Sequence, residues 1–235
     1  MKIEIYSDVA CPWCYIGKRR FERALEAFAG REGVDVVFRP FQLDPTTPTA
    51  ATPLMARLEK RFGPGFRAAA KRTEETARAE GLTIDHDRAL AVNTLLAHRL
   101  LWLAERDYGA AVQREVAERV FEAYFANGVD VGDRAQLGEL AAAAGMERER
   151  VARFLASSEG ESEVRAEIAE ARALGVDAVP TFVFDDRYAV SGAQPASVFL
   201  QVLERVTGET AAEGDSEQEP TPTDADTCAD DSCVI

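Results

Sequence analysis

Histidine is nearly missing from this chain: of 235 residues, only His86 and His98 carry an imidazole. Two imidazoles cannot build a histidine-rich metal centre, and they narrow any Cys–His hydrolase reading. Long apolar runs are missing too, so no stretch reads as a membrane span. Glu4 interrupts the start Met1-Lys2-Ile3-Glu4-Ile5-Tyr6 before an apolar leader core could form, so no secretory signal is expected and the cytoplasm is the expected location. Excess positive charge is lacking as well. The net charge is −14, and residues 209–235 hold nine acids with no Lys or Arg, which leaves the first 208 residues at −5. A basic nucleic-acid footprint is excluded. With 46% hydrophobic and 29% charged residues, the chain reads as globular and long enough for one sizeable core, or one core with a large insertion.

Alternating apolar residues predict a strand over residues 2–7. Phe21, Leu25 and Phe28 then recur at helical spacing up to Gly30, and Val34, Val36 and Phe38 predict a second strand over 34–41. This is one βαβ unit. A loop with Pro40, Pro45, Pro48 and Pro53 follows. No convincing strand is expected from about residue 53 to 158. Leu90, Leu95, Leu96, Leu100, Leu101 and Leu103 sit in a helix-rich stretch. Val116, Val120, Phe121, Tyr124 and Phe125 make another helical stripe, as do Leu137 with Leu140 and Val151 with Phe154. Their expected role is packing between helices. After a helix ending at Gly175, Thr181–Phe184 reads as a strand, Asp185-Asp186 as a turn and 187–191 as a second strand. Val198, Phe199, Val202 and Val206 mark a last helix. Residues 209–235, acidic and rich in Thr, Pro and Glu, read as a disordered tail.

The four cysteines form two close pairs, Cys11/Cys14 and Cys228/Cys233. In a reducing compartment, such pairs suit catalysis, redox sensing or metal binding better than a static disulfide framework. Cys11-Pro12-Trp13-Cys14 falls between the first strand and the first helix. Cys11 therefore lies at the helix N-terminus, where unpaired N–H groups and the helix dipole favour an anion. The thiolate is the reactive form of a cysteine. Pro12 fits the first turn without losing a needed N–H. Cys14, three residues on, is placed to attack a mixed disulfide at Cys11. The assignment is that Cys11 exchanges first and Cys14 resolves. A zinc site is the competing reading. It needs two further ligands, which Cys228 and Cys233 could supply only if the tail folds back.

Cys11-Pro12-Trp13-Cys14, the helical block, Val179-Pro180-Thr181 and the late hairpin together resemble the DsbA-like branch of the thioredoxin superfamily. Within it, Ser7-Asp8-Val9-Ala10-Cys11-Pro12-Trp13-Cys14-Tyr15-Ile16-Gly17 and Ser191-Gly192-Ala193-Gln194-Pro195 are similar to the FrnE-like proteins. The resemblance covers residues 1 to about 208. It implies an α/β, thioredoxin-like fold formed by residues 1–48 and 161–208, with an all-helical domain, 49–160, inserted between the βαβ unit and the late ββα unit. It implies that Pro180 is cis and faces Cys11, and that the Val179 backbone, with Pro12, Trp13 and Thr181, contacts substrate. Some FrnE-like proteins carry a C-terminal C-x4-C, which Cys228 and Cys233 match as an auxiliary redox pair. A flexible linker of roughly 20 residues spans about 25 Å r.m.s., so that pair could reach Cys11. The alternative is a solvated tail with two exposed thiols. Trp13 stands where DsbA has a histidine, so a less oxidising dithiol is expected, with an apolar platform for substrate.

The expected activity is that of a thiol–disulfide oxidoreductase or disulfide isomerase acting on protein thiols and disulfides, with glutathione as a further candidate partner. No cofactor, metal, nucleic acid or membrane is called for. One alternative is a glutathione-dependent isomerase or transferase for small aromatic compounds. The hydroxychromene-carboxylate isomerase and kappa-class glutathione transferase group resembles this chain around Asn93–Leu100 but has serine in place of Cys11. Another is a non-catalytic metal-binding or chaperone module. Asn93 and His98 read mainly as helix-capping or packing residues, with the border of the cleft as the other reading.

Overall fold

β1 (Lys2–Ser7) is buried from Ile3 onward because it lies inside a sheet covered on both faces. In the computed structural model, which describes residues 1–216, β1 leads through a short loop into α1 (Pro12–Ala27) and then β2 (Asp35–Pro40). β1 and β2 are parallel, with Ile3 opposite Val36 and Ile5 opposite Phe38. Next come β3 (Thr52–Pro53), α2 (Leu54–Phe62), α3 (Phe66–Ala79), β4 (Leu90–Ala91), α4 (Leu95–Tyr108), α5 (Ala110–Phe125), α6 (Arg134–Ala143), α7 (Arg148–Ala156) and α8 (Glu161–Ala173). The chain closes with β5 (Thr181–Phe184), β6 (Tyr188–Ser191) and α9 (Ala196–Ser216). The main sheet has the order β2-β1-β5-β6, with β5 antiparallel to both β1 and β6. This is the expected α/β architecture.

Strand parity sorts the two faces. Ile3, Ile5, Phe182 and Phe184 join the main core, where Phe21 of α1 packs against Phe182 (5.4 Å between ring centroids) and Phe182 against Phe199 of α9 (4.5 Å). Tyr6 and Val183 point the other way, onto Ala171 of α8. β2 is an edge strand, and its backbone is capped by a side chain. The buried Gln113 amide of α5 accepts from the Phe38 N–H (2.8 Å) and donates to the Phe38 carbonyl (2.9 Å), standing in for a neighbouring strand. Asp185 and Asp186, with φ of 47° and 56°, make the tight β5–β6 turn.

Two expectations are corrected. Pro53 and Leu90, read as loop and helix, form a small antiparallel ladder in which they pair with each other. Two residues per strand are too few to leave a periodic signal. The last helix also runs on to Ser216, eight residues into the expected tail, and Glu209 is held by Arg205 at 2.9 Å and by the Tyr188 hydroxyl. Cys228 and Cys233 lie outside the described residues.

Candidate active site

Cys11 is the N-cap of α1, in extended conformation, and Pro12 opens the helix. The Cys11 amide donates to the Asp8 carbonyl (2.9 Å). The Cys11 carbonyl accepts from the amides of Cys14 (3.0 Å) and Tyr15 (3.4 Å), so the first helical turn begins on this residue. Both thiols are unbonded and buried, whereas Trp13 between them is 42% exposed.

The second wall comes from the far end of the sequence. The Val179–Pro180 peptide is cis, and the Cys11 thiol donates to the Val179 carbonyl oxygen at 3.6 Å. Three contacts hold this loop. Thr181 Oγ1 donates to the Ala178 carbonyl at 2.8 Å, and the Gly192 amide to the Pro180 carbonyl at 2.8 Å. Gly17 of α1 lies so close that an added Cβ would meet Pro180 Cγ at 2.9 Å. Pro12 and Trp13 thus lie between the two cysteines, the Val179 carbonyl lies against Cys11, and cis-Pro180 and Thr181 follow it in the chain.

α1 is fixed on both flanks. Tyr15 stacks on Phe121 of α5 at 5.1 Å, and the buried Lys18 bonds Glu118 of α5 and Glu22 of its own helix. The Cys14 thiol is pushed well above the ordinary thiol range by burial, and by the hydrogen bond and charge of Cys11. The Ser7 hydroxyl and the Asp8 backbone pull the other way. A buried, protonated Cys14 leaves Cys11 to react first, which suits Cys14 to the resolving role.

Sequence reading assigned no role to Asp8 or Ser7 and left His98 mainly to packing. Asp8 is buried, with its carboxylate accepting from the amides of Ala10 (3.3 Å) and Leu43 (2.8 Å). The buried His98 of α4 places Nε2 3.3 Å from the same carboxylate, pinning the loop before Cys11 to the helical block. Asp8 stands three residues before Cys11, and an acid between the first strand and the dithiol was the available signal. Asn93 does close the start of α4, its side chain accepting from the Leu95 amide at 3.0 Å.

The sequence matches the DsbA-like thioredoxin domain over residues 2–204. The chain belongs to the DsbA-like thioredoxin family. A probable DsbA oxidoreductase from Streptomyces coelicolor, SCO1869, is 38% identical, with a TM-score of 0.81 over 100% of this chain and 99% of that one. YwbO of Bacillus subtilis (strain 168) is 27% identical over 206 residues, 86% of this chain and 94% of its own. DsbM of Pseudomonas aeruginosa, a cytosolic disulfide reductase, shares the fold at 21% identity and a TM-score of 0.59, over 88% of this chain and 100% of its own. Among the described residues of this DsbA-like chain, no helix is long and apolar enough to cross a membrane.

Proposed function

We propose that this DsbA-like protein, of FrnE-like type, exchanges disulfides with protein thiols through Cys11 and Cys14. The observation that carries the reading is the meeting of a helix-start thiol with the Val179 carbonyl, 3.6 Å away, just before cis-Pro180. The Cys11 thiolate attacks one sulfur of a substrate disulfide, forms a mixed disulfide and releases the other sulfur as a thiolate. The Cys14 thiolate then attacks Cys11 Sγ. The second substrate thiolate leaves, and a Cys11–Cys14 disulfide remains. The substrate is reduced by two electrons and the protein oxidised; the reverse sequence oxidises a dithiol. Pro180 and the Val179 backbone hold the substrate strand, and Trp13 offers an apolar contact. Glutathione, present in one structure of the similarly folded DsbM, is a further partner. The cytoplasm, where DsbM is described, is the proposed location. Cys228 and Cys233 act as an auxiliary pair that exchanges with the main one.

The test is mass spectrometry with insulin or scrambled ribonuclease as substrate. Cys11→Ser is expected to abolish exchange, and Cys14→Ser to accumulate a protein–substrate mixed disulfide. Full turnover by Cys11→Ser would end the assignment.

A further inference from the structure

Beside the dithiol, between the Asp8–Ala10 loop and the helical block, lies a cavity of about 280 Å³. Its wall is mostly apolar: Ala10, Leu43, Leu54, Leu58, Phe62 and Val92. Tyr124 also lines it, with its hydroxyl buried and without a hydrogen-bond partner among the described residues. At this size the cavity falls just under the range of pockets that enclose whole drug-sized ligands, and suits one or two large side chains.

Two features indicate what fits. Among the described residues, four large apolar side chains are exposed: Trp13, Leu43, Phe62 and Leu174. Leu43 and Phe62 line the cavity, and Trp13 sits in the dithiol motif. Two of the four therefore lie at the cavity, whose wall reaches Ala10, the residue before Cys11, as at a surface that receives a polypeptide. The rim is also charged unevenly. Arg57 Nη2 and Arg61 Nη1 share one oxygen of Asp44, each at 2.9 Å, which leaves one positive charge in excess. Asp8 is a second carboxylate on the cavity wall, but it is buried and its oxygens are held by two amides and His98, so at the rim the groups within a ligand's reach are the guanidiniums of Arg57 and Arg61.

We propose that this cavity is the substrate-recognition subsite of the dithiol, and that it takes a polypeptide with a large apolar residue next to the reacting cysteine and an acidic residue beyond it. Successive residues in an extended chain are about 3.3–3.6 Å apart. A cysteine at Cys11 thus carries its neighbour over Ala10 into the cavity and the following carboxylate toward Arg57 and Arg61. The inference rests on the dithiol reading above and deepens it. Glutathione carries carboxylates but no large apolar side chain, and leaves the cavity unfilled.

The experiment uses the reduced full-length protein and symmetric peptide disulfides in both chain directions, Ac-Cys-Phe-Glu-NH2 and Ac-Glu-Phe-Cys-NH2. In each, Phe is replaced by Ser or Glu by Lys, and glutathione disulfide and hydroxyethyl disulfide serve as references. The rate of thiol release is followed at low salt. In at least one direction the Phe–Glu peptide should react about tenfold faster than its Ser counterpart and than glutathione disulfide, and about threefold faster than its Lys counterpart. The Glu-over-Lys preference should fall toward one in Arg57→Gln/Arg61→Gln. The preference for Phe should shrink in Phe62→Ser, an exposed position where folding is not at stake. No preference in either direction overturns the subsite, as does a preference untouched by these substitutions. Failure to react even with hydroxyethyl disulfide overturns the dithiol reading instead.

Discussion

Cys11 and Val179 are 168 residues apart in the chain, yet the thiol of one bonds the carbonyl oxygen of the other at 3.6 Å. The contact joins the start of α1 to the loop before β5. β1 and β5 are paired side by side, Tyr6 opposite Thr181, so the segments that extend from these two residues emerge together at one end of the sheet.

The resolving step should depend steeply on pH. Burial raises the Cys14 thiol above its usual value, and burial persists when Cys11 enters a mixed disulfide and its own charge is lost. Below that raised value the thiolate fraction grows about tenfold per pH unit. Resolution of a Cys11–glutathione mixed disulfide, followed by quench and mass spectrometry, should therefore rise with near-unit slope from pH 7 to 9. A plateau below pH 8 would contradict the raised value. The same shift gives the sign for stability. The protonated Cys14 contributes fully below the unfolded thiol pKa, and that contribution is lost as pH climbs through the higher folded one.

Gly17→Ala should disturb the site without touching a cysteine. The new methyl would overlap Pro180 Cγ at 2.9 Å and press on Ala193 at 3.4 Å. Overpacking of this kind costs about 1–3 kcal/mol, and for a chain of this size each kcal/mol lowers the melting temperature by about 2–4 °C. Thermal melts and exchange rates are expected to fall together. An unchanged variant would mean that α1 and the Pro180 loop are not in close contact.

The Asp8–His98 pair should couple. His98→Leu leaves a buried carboxylate short of one partner, at a cost of about 1–3 kcal/mol. Denaturation of His98→Leu, Asp8→Asn and the double variant should give a coupling energy of about 0.5–3 kcal/mol. Strictly additive effects would dissolve the pair.

Deleting residues 217–235 should leave the melting temperature within about 1 °C, because the cut falls after α9 and spares Glu209 with its bonds to Arg205 and Tyr188. Cutting at residue 209 should lower it. If Cys228 and Cys233 exchange with the main dithiol, the longer protein carrying Cys14→Ser should yield a Cys11–tail disulfide on mild oxidation. Unaltered redox assays after truncation, with no such disulfide, would leave a solvated tail.

The sequence by itself determined the α/β order and the position of the dithiol. Cys11 had to begin a helix, because Ile3 and Ile5 alternate as a strand before it and Phe21, Leu25 and Phe28 recur at helical spacing after it. Such signals are local, and a short window of chain carries them. Cis-Pro180 opposite Cys11 came from family likeness, since no spacing rule brings positions 11 and 180 together. Tertiary structure alone decided the Gln113 bridge to Phe38, the Asp8–His98 contact and the two-residue ladder of Pro53 and Leu90. Each joins groups from separate elements, and a buried polar partner is chosen by where those elements pack. A sequence shows that Asp8 is an acid; only the placement of α4 against the loop before Cys11 supplies its imidazole.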